Sequence, residues 1–207
     1  MKNMMTPSEK LHLENEIKRV QDMFETEMHQ LGYIEDIEEL RYLPSAVYLK
    51  LQDYQRGLEY NQWVAENFVD DCEPPDFLFE WSVFLFMNGK IKEAEVKLLE
   101  TFLSNTYVID KFFGRPITPI DKTEYSEFEH VEFVEKFKYS FDQDDLAPFV
   151  KWFTEFEQSE MFRSVAKRFV KSQVLLKVEV DPEMIYYLTR VDFQILNELK
   201  EYLAKTT

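Results

Sequence analysis

The stretch Asp76–Asn105, DFLFEWSVFLFMNGKIKEAEVKLLETFLSN, leaves this chain few choices of fold. Its apolar residues recur at three- and four-residue steps on both sides of Asn88-Gly89, the pattern of two amphipathic helices joined by a tight turn. Large side chains fall where two antiparallel helices must touch. A small one, Ala94, falls where their backbones come close. The pattern therefore dictates a helical hairpin, and it carries no chemistry of its own.

A chain of 207 residues with only 4 glycines, rich in Glu, Lys, Leu and Phe, is long enough for a sizeable core and is expected to be helical. The net charge of −16 opposes contact with nucleic acid or anionic lipid, both of which bind through cationic side chains. Cys72 is the single cysteine, so no internal disulfide can form, and its neighbours Asp71 and Glu73 disfavour a thiolate. The opening MKNMMTPSEK lacks an apolar signal-peptide core, and no window reads as a membrane span. The expectation is a cytoplasmic protein with no nucleic-acid or membrane partner.

The first helix is announced by Thr6, Pro7 and Glu9, a capping box with proline at the first helical position. Leu13, Ile17, Val20, Phe24, Met28 and Leu31 then form one apolar stripe, ended by Gly32. That stripe either packs on the rest of the fold or forms the seam of a homodimer through residues 6–31. Helical patterns follow over Asp36–Leu51 and Tyr54–Val69, broken by the acidic Asp70–Pro75 segment. Thr106–Thr123 has no helical period yet carries seven large apolar residues, so it is expected to lie on a hydrophobic surface, as a cover or as a functional loop. Further helices are expected near Glu124–Phe141, Leu146–Glu157 and Ser159–Lys177. A last one runs from Pro182 to about Ala204 with Asp181 as its cap, and Val174–Val180 could instead be a short strand.

The hairpin Asp76–Asn105 resembles a tetratricopeptide (TPR) repeat. Leu78, Trp81, Ser82 and Leu85 occupy the contact positions of the first helix, Gly89 makes the turn, and Ile91, Ala94 and Leu98 fill the inward positions of the second. It departs at Thr101 and Thr106, where the family usually has a small alanine and a closing proline. A weaker copy lies upstream, with Tyr54, Gly57 and Val64 each 37 residues before Ile91, Ala94 and Thr101, against the usual period of about 34. The resemblance implies an all-α, right-handed array of helical hairpins in one compact domain, 1–207. Residues 6–32 would cap it, 36–105 would form two TPR-like hairpins, 106–123 an irregular apolar loop, and 124–207 a helical C-terminal segment. It also implies a concave, peptide-holding surface, here including Asp76, Phe79, Val83, Phe86 and Met87. That surface is mostly apolar, so either an apolar peptide binds there or the Thr106–Thr123 loop fills it.

Catalytic signatures are few. Glu9-x-x-His12 and Glu127-x-x-His130 have the spacing that projects a carboxylate and an imidazole from one helix face, as in di-iron bundles. Glutamate is so abundant here that such pairs arise by chance, and Glu9 already serves the cap, so no cofactor is expected; Glu127 and His130 are the residues a metal would use. Asp142, Asp144 and Asp145 lack the glycine and terminal glutamate of a calcium loop. No phosphate-binding glycine loop or nucleophile elbow is present. Between Met161 and Lys177 five basic residues stand without an acidic one, so the rest of the chain carries −21 against the total of −16. Arg163, Lys167 and Lys171 share one helical face, either a solvated face or a docking strip for an acidic partner. The expected function is a protein- or peptide-binding scaffold of TPR-like type. The alternatives are a helical enzyme with an acidic or metal site and a self-associating domain without ligand.

Overall fold

The computed structural model describes residues 5–36, 39–69 and 72–205, and all regular structure among them is helical. The chain divides into two compact units, Met1–Cys72 and Glu73–Thr207. Residues 37 and 38, within the expected Asp36–Leu51 helix, and residues 70 and 71, within the acidic Pro-Pro breaker, lie outside the described residues.

The first unit is built from α1 (Pro7–Leu31), α2 (Leu43–Leu51) and α3 (Tyr54–Asn67). The capping box forms as the sequence predicts. The Glu9 backbone N–H donates to Thr6 Oγ1 at 3.2 Å, and the Thr6 N–H donates to Glu9 Oε2 at 2.8 Å. Leu13, Ile17, Val20 and Phe24 are buried, so most of the α1 stripe is used inside the unit, while Met28 and Leu31 stay exposed. The second helix starts later than the pattern suggests. Buried Asp36 accepts bonds from the backbone N–H groups of Leu40 and Arg41 and pairs with the Arg41 guanidinium at 2.7 Å. This anchors a 3-10 turn, Leu40–Tyr42, ahead of α2. Asp53 caps α3, and Arg56 bridges Asp53 to Glu14 of α1 at 2.6 and 2.8 Å.

The second unit is organised around α4 (Pro75–Met87) and α5 (Ile91–Ser104). A helix apolar on every side must be surrounded, and α4 is buried at Pro75 and without interruption from Phe77 to Leu85. Its turn is a Schellman closure. Gly89 adopts a φ of 75°, its N–H bonds to the Phe86 carbonyl, and the Lys90 N–H reaches back to Leu85, each at 2.9 Å. Ala94 is wholly buried on α5. Thr101 is buried too, its hydroxyl bonded to the Lys97 carbonyl at 2.9 Å, so threonine costs nothing unsatisfied where alanine is usual.

After α5 the chain turns at Asn105 instead of a proline. The Asn105 carboxamide accepts from the Tyr107 N–H at 2.8 Å and donates to the carbonyls of Phe128 and His130 at 2.6 and 3.0 Å. The apolar segment behind it forms a short helix, α6 (Val108–Phe112), that buries Val108, Ile109 and Phe112 in the core. The expected helix over Glu124–Phe141 does not form. Side-chain capture of the Phe128 and His130 carbonyls competes with helical bonding, and the segment makes only 3-10 turns at Glu127–Glu129 and Val131–Glu135.

Four more helices complete the unit: α7 (Ala147–Glu157), α8 (Glu160–Val178), α9 (Pro182–Leu188) and α10 (Val191–Ala204). The expected last helix is thus broken in two, at Thr189-Arg190. Asp181 does cap α9, accepting from the Glu183 N–H at 2.9 Å. The strand alternative over Val174–Val180 is excluded, because α8 runs through to Val178 and no strand occurs among the described residues.

The second unit's core is a continuous aromatic cluster centred on Phe79. Its ring lies 5.0–5.6 Å from those of Phe112, Phe137, Tyr139 and Phe149, separations at which aromatic pairs attract beyond their buried area. Phe79→Ala should therefore lower the protection of the slowest-exchanging α4 and α5 amides by about 3–5 kcal/mol. Hydrogen exchange measures this, and unchanged protection would show that Phe79 is not the keystone.

Candidate functional site

The α4 face expected to hold a peptide is an interior surface. Phe79 and Val83 have no exposed area, and Phe86 packs on Phe149 at 5.7 Å and on Trp152 at 4.9 Å. Asp76 and Met87 are partly buried at the two ends of the helix. The Thr106–Thr123 segment supplies one of the covering rings, Phe112. The others come from residues 133–139 and from α7, so the chain fills this face from three places. Phe79 and Val83 are therefore core residues and Phe86 packs on α7, so the chain itself fills the middle of the face at which a peptide is expected, with Asp76 and Met87 half-buried at its ends.

That covering also buries acid groups. Glu80 is 3% exposed and accepts a hydrogen bond from the Tyr139 hydroxyl. Burial and the adjacent carboxylate push the Tyr139 phenol well above its ordinary value. Asp76, one turn earlier, is also raised, chiefly by burial and against the pull of the backbone N–H groups beside it. The Tyr139–Glu80 hydrogen bond ties residues 133–139 to α4 beside the stacked rings of Phe79 and Tyr139.

The metal candidates do not converge. Glu127 opens a 3-10 turn and His130 follows it in extended backbone, so the i, i+3 projection of an α-helix is lost. His130 is exposed and lies 3.9 Å from Glu124. Glu9 is bound in its cap. Among the described residues no group of three His, Cys, Asp or Glu side chains is arranged to hold a metal ion.

An open groove does exist, in the first unit. α1 and α3 both pack on α2 and leave between them a cavity of about 910 Å³. Its floor is aromatic: Phe24 stacks on Trp63 at 5.9 Å, Trp63 meets Tyr60 at 5.7 Å, and Tyr60 meets Tyr48 at 5.9 Å. Tyr60 donates its hydroxyl to the Arg41 carbonyl at 2.8 Å, and burial raises both tyrosines. The rim is Gln21, Glu25, Met28 and His29 on α1 and Arg56, Glu59 and Asn67 on α3. Arg56 is held to Glu14 and Asp53, which raise its pKa further and neutralise it, leaving Glu25 and Glu59 to set the charge of the rim. The i, i+3 and i+7 placement of Arg56, Glu59 and Trp63 was the available sequence signal; it went unread because the opposite wall lies two helices away.

On α8, Arg163, Lys167 and Lys171 are exposed on one face, as their spacing predicts. Arg163 bonds to the Gln158 amide. Arg168 and Lys177, at other angles, pair with Glu198 and Asp121. No ion pair to Lys167 or Lys171 occurs among the described residues.

No protein-family model, curated protein or solved structure matches this chain. Its function must be argued from these surfaces. None of the helices described is long and apolar enough to cross a membrane.

The Asp76 shift has a testable sign. A carboxyl raised in the folded state costs stability once ionised, so stability falls as pH rises from the ordinary aspartate range through the folded value. Asp76→Asn should raise the melting temperature at pH 7 and leave it unchanged near pH 3, where both side chains are neutral. Calorimetry at the two pH values checks this, and a destabilised variant at pH 7 would refute it.

Proposed function

We propose that this protein is an interaction module of TPR-like type that takes a peptide segment of a partner in the groove between α1 and α3. The observation that carries the reading is the groove itself. It is an open concavity on a rigid aromatic floor, flanked by two helices that each present residues at three- and four-residue steps. Such a shape suits an amphipathic segment whose apolar side chains meet Trp63 and Met28 while its polar side faces Glu25, Glu59 and solvent.

The TPR-like part of the reading has its own support. Every contact position named for the hairpin in the first helix (Leu78, Trp81, Ser82 and Leu85) is buried, as are Ala94 and Leu98 in the second, whereas Ile91, expected to face inward, is exposed at the start of α5. Gly57 and Val64, the corresponding positions upstream, are buried within α3. Carboxylates on the groove rim favour a segment bearing Lys or Arg, because the one guanidinium there is already paired.

The test is selection of binders from a displayed random-peptide library on the whole protein, followed by binding of the winners to Met28→Glu and Glu59→Arg. Both positions are exposed, so folding should survive, and the melting temperature checks that it does. Selected peptides should carry basic and apolar residues and should lose at least tenfold in affinity for both variants. Peptides that bind both variants as tightly as the parent would place binding elsewhere.

A further inference from the structure

The outer face of α8 has an order of charge that runs from basic through apolar to acidic. Arg163, Lys167, Lys171, Val174 and Val178 follow one another at three- and four-residue steps, on the side of the helix opposite buried Phe162, Phe169 and Gln173. Val174 is 37% exposed and Val178 72%. Immediately beyond the helix come Glu179, Asp181 and Glu183, among which Val180 and Met184 are exposed at 86% and 46%. Half of the large exposed apolar residues among those described lie between Val174 and Phe193. Scattered apolar residues need no explanation, but a concentration bordered by charge marks a contact surface.

The charges on this surface are unspent. Among the described residues no ion pair is made by Lys167 or Lys171 at one end, or by Glu179, Asp181 or Glu183 at the other. Glu179 and Asp181 accept only local backbone N–H groups. The off-face cations of the same helix, Arg168 and Lys177, do find acidic partners. On α8, then, the cations off this face are paired with acidic side chains, and Lys167 and Lys171 on it are not.

We infer that this face pairs with a second copy of itself, two α8 helices lying antiparallel about a two-fold axis near Val174. A two-fold interface must be self-complementary, with each residue meeting its counterpart across the axis. A surface ordered basic, apolar, acidic meets that requirement only when it is reversed against itself. Lys167 and Lys171 of one copy then face the Glu179–Glu183 turn of the other. Val174, Leu175 and Val178 close the centre. Lys167 lies seven residues before Val174, about 10 Å along α8, and the acidic turn begins at Glu179, directly past the end of the helix at Val178. The overall charge of −16 repels two copies at long range. Screening beyond about 8 Å at physiological salt limits that term and leaves the local pairing to decide.

Sedimentation velocity on the full chain tests this. The 25.0 kDa chain should shift to twice its mass as concentration rises. The Lys167→Glu/Lys171→Glu variant and the Glu179→Lys/Glu183→Lys variant should each remain monomeric, with circular dichroism melts like the parent's. Mixed in equal amounts, they should form a heterodimer, because both ends of the interface are then complementary again. A parent that stays at one chain's mass at its highest soluble concentration overturns the inference. So does a dimer that survives both charge reversals, or one that Met28→Glu on α1 abolishes instead. Two monomeric variants that do not recover on mixing overturn the antiparallel pairing. Binding of the parent to phosphatidylserine vesicles without any change in its own mass assigns the strip to a membrane and equally overturns it.

Discussion

The second unit depends on one constraint: α4 is buried on every side from Phe77 to Leu85. A helix of this kind cannot sit at a surface, and each element after it can be read as an answer to the question of what covers which flank. α5 takes the flank nearest in sequence through the Asn88-Gly89 turn. The opposite flank, carrying Phe79 and Phe86, is closed by rings delivered from α6, from residues 133–139 and from α7. Between Glu124 and Leu146 the chain makes only 3-10 turns, and from there it lays Phe137 and Tyr139 on Phe79.

This also explains how much could be read from the sequence. Features set by neighbours within a few residues were legible: the Thr6 capping box, the Gly89 turn, the Asp181 cap, the buried stripe of α1, and the shared face of Arg163, Lys167 and Lys171. Features set by distant partners were not. Nothing around Phe128 announces that the Asn105 carboxamide will take its carbonyl, so the apolar residues from Phe128 to Phe137 read as a helix. Likewise, the face of α4 resembled a groove because its periodicity is that of a groove, and the rings that fill it come from far along the chain.

Resemblance to a repeat family pointed to first-helix residues of the stronger hairpin, and there the chain has closed the concavity on itself. The weaker hairpin, together with α1, keeps its concavity open. Packing demands of a core produce clean periodicity, whereas the walls of a groove are shared between helices and leave a mixed pattern in each.

The clamp made by Arg56 has a mechanical consequence for that groove. Paired charges with fixed hydrogen-bond directions hold the beginnings of α1 and α3 at one spacing through Glu14 and Asp53. Farther along, rings of the two elements meet, Phe24 against Trp63 and Phe68, and ring contacts tolerate sliding that a two-pronged ion pair does not. The cleft is built like a clothes-peg, with a sprung polar pin at one end and compliant jaws at the other. If the cleft holds a peptide as proposed, the jaws would admit segments of different girth, and the pin would set their position along the cleft.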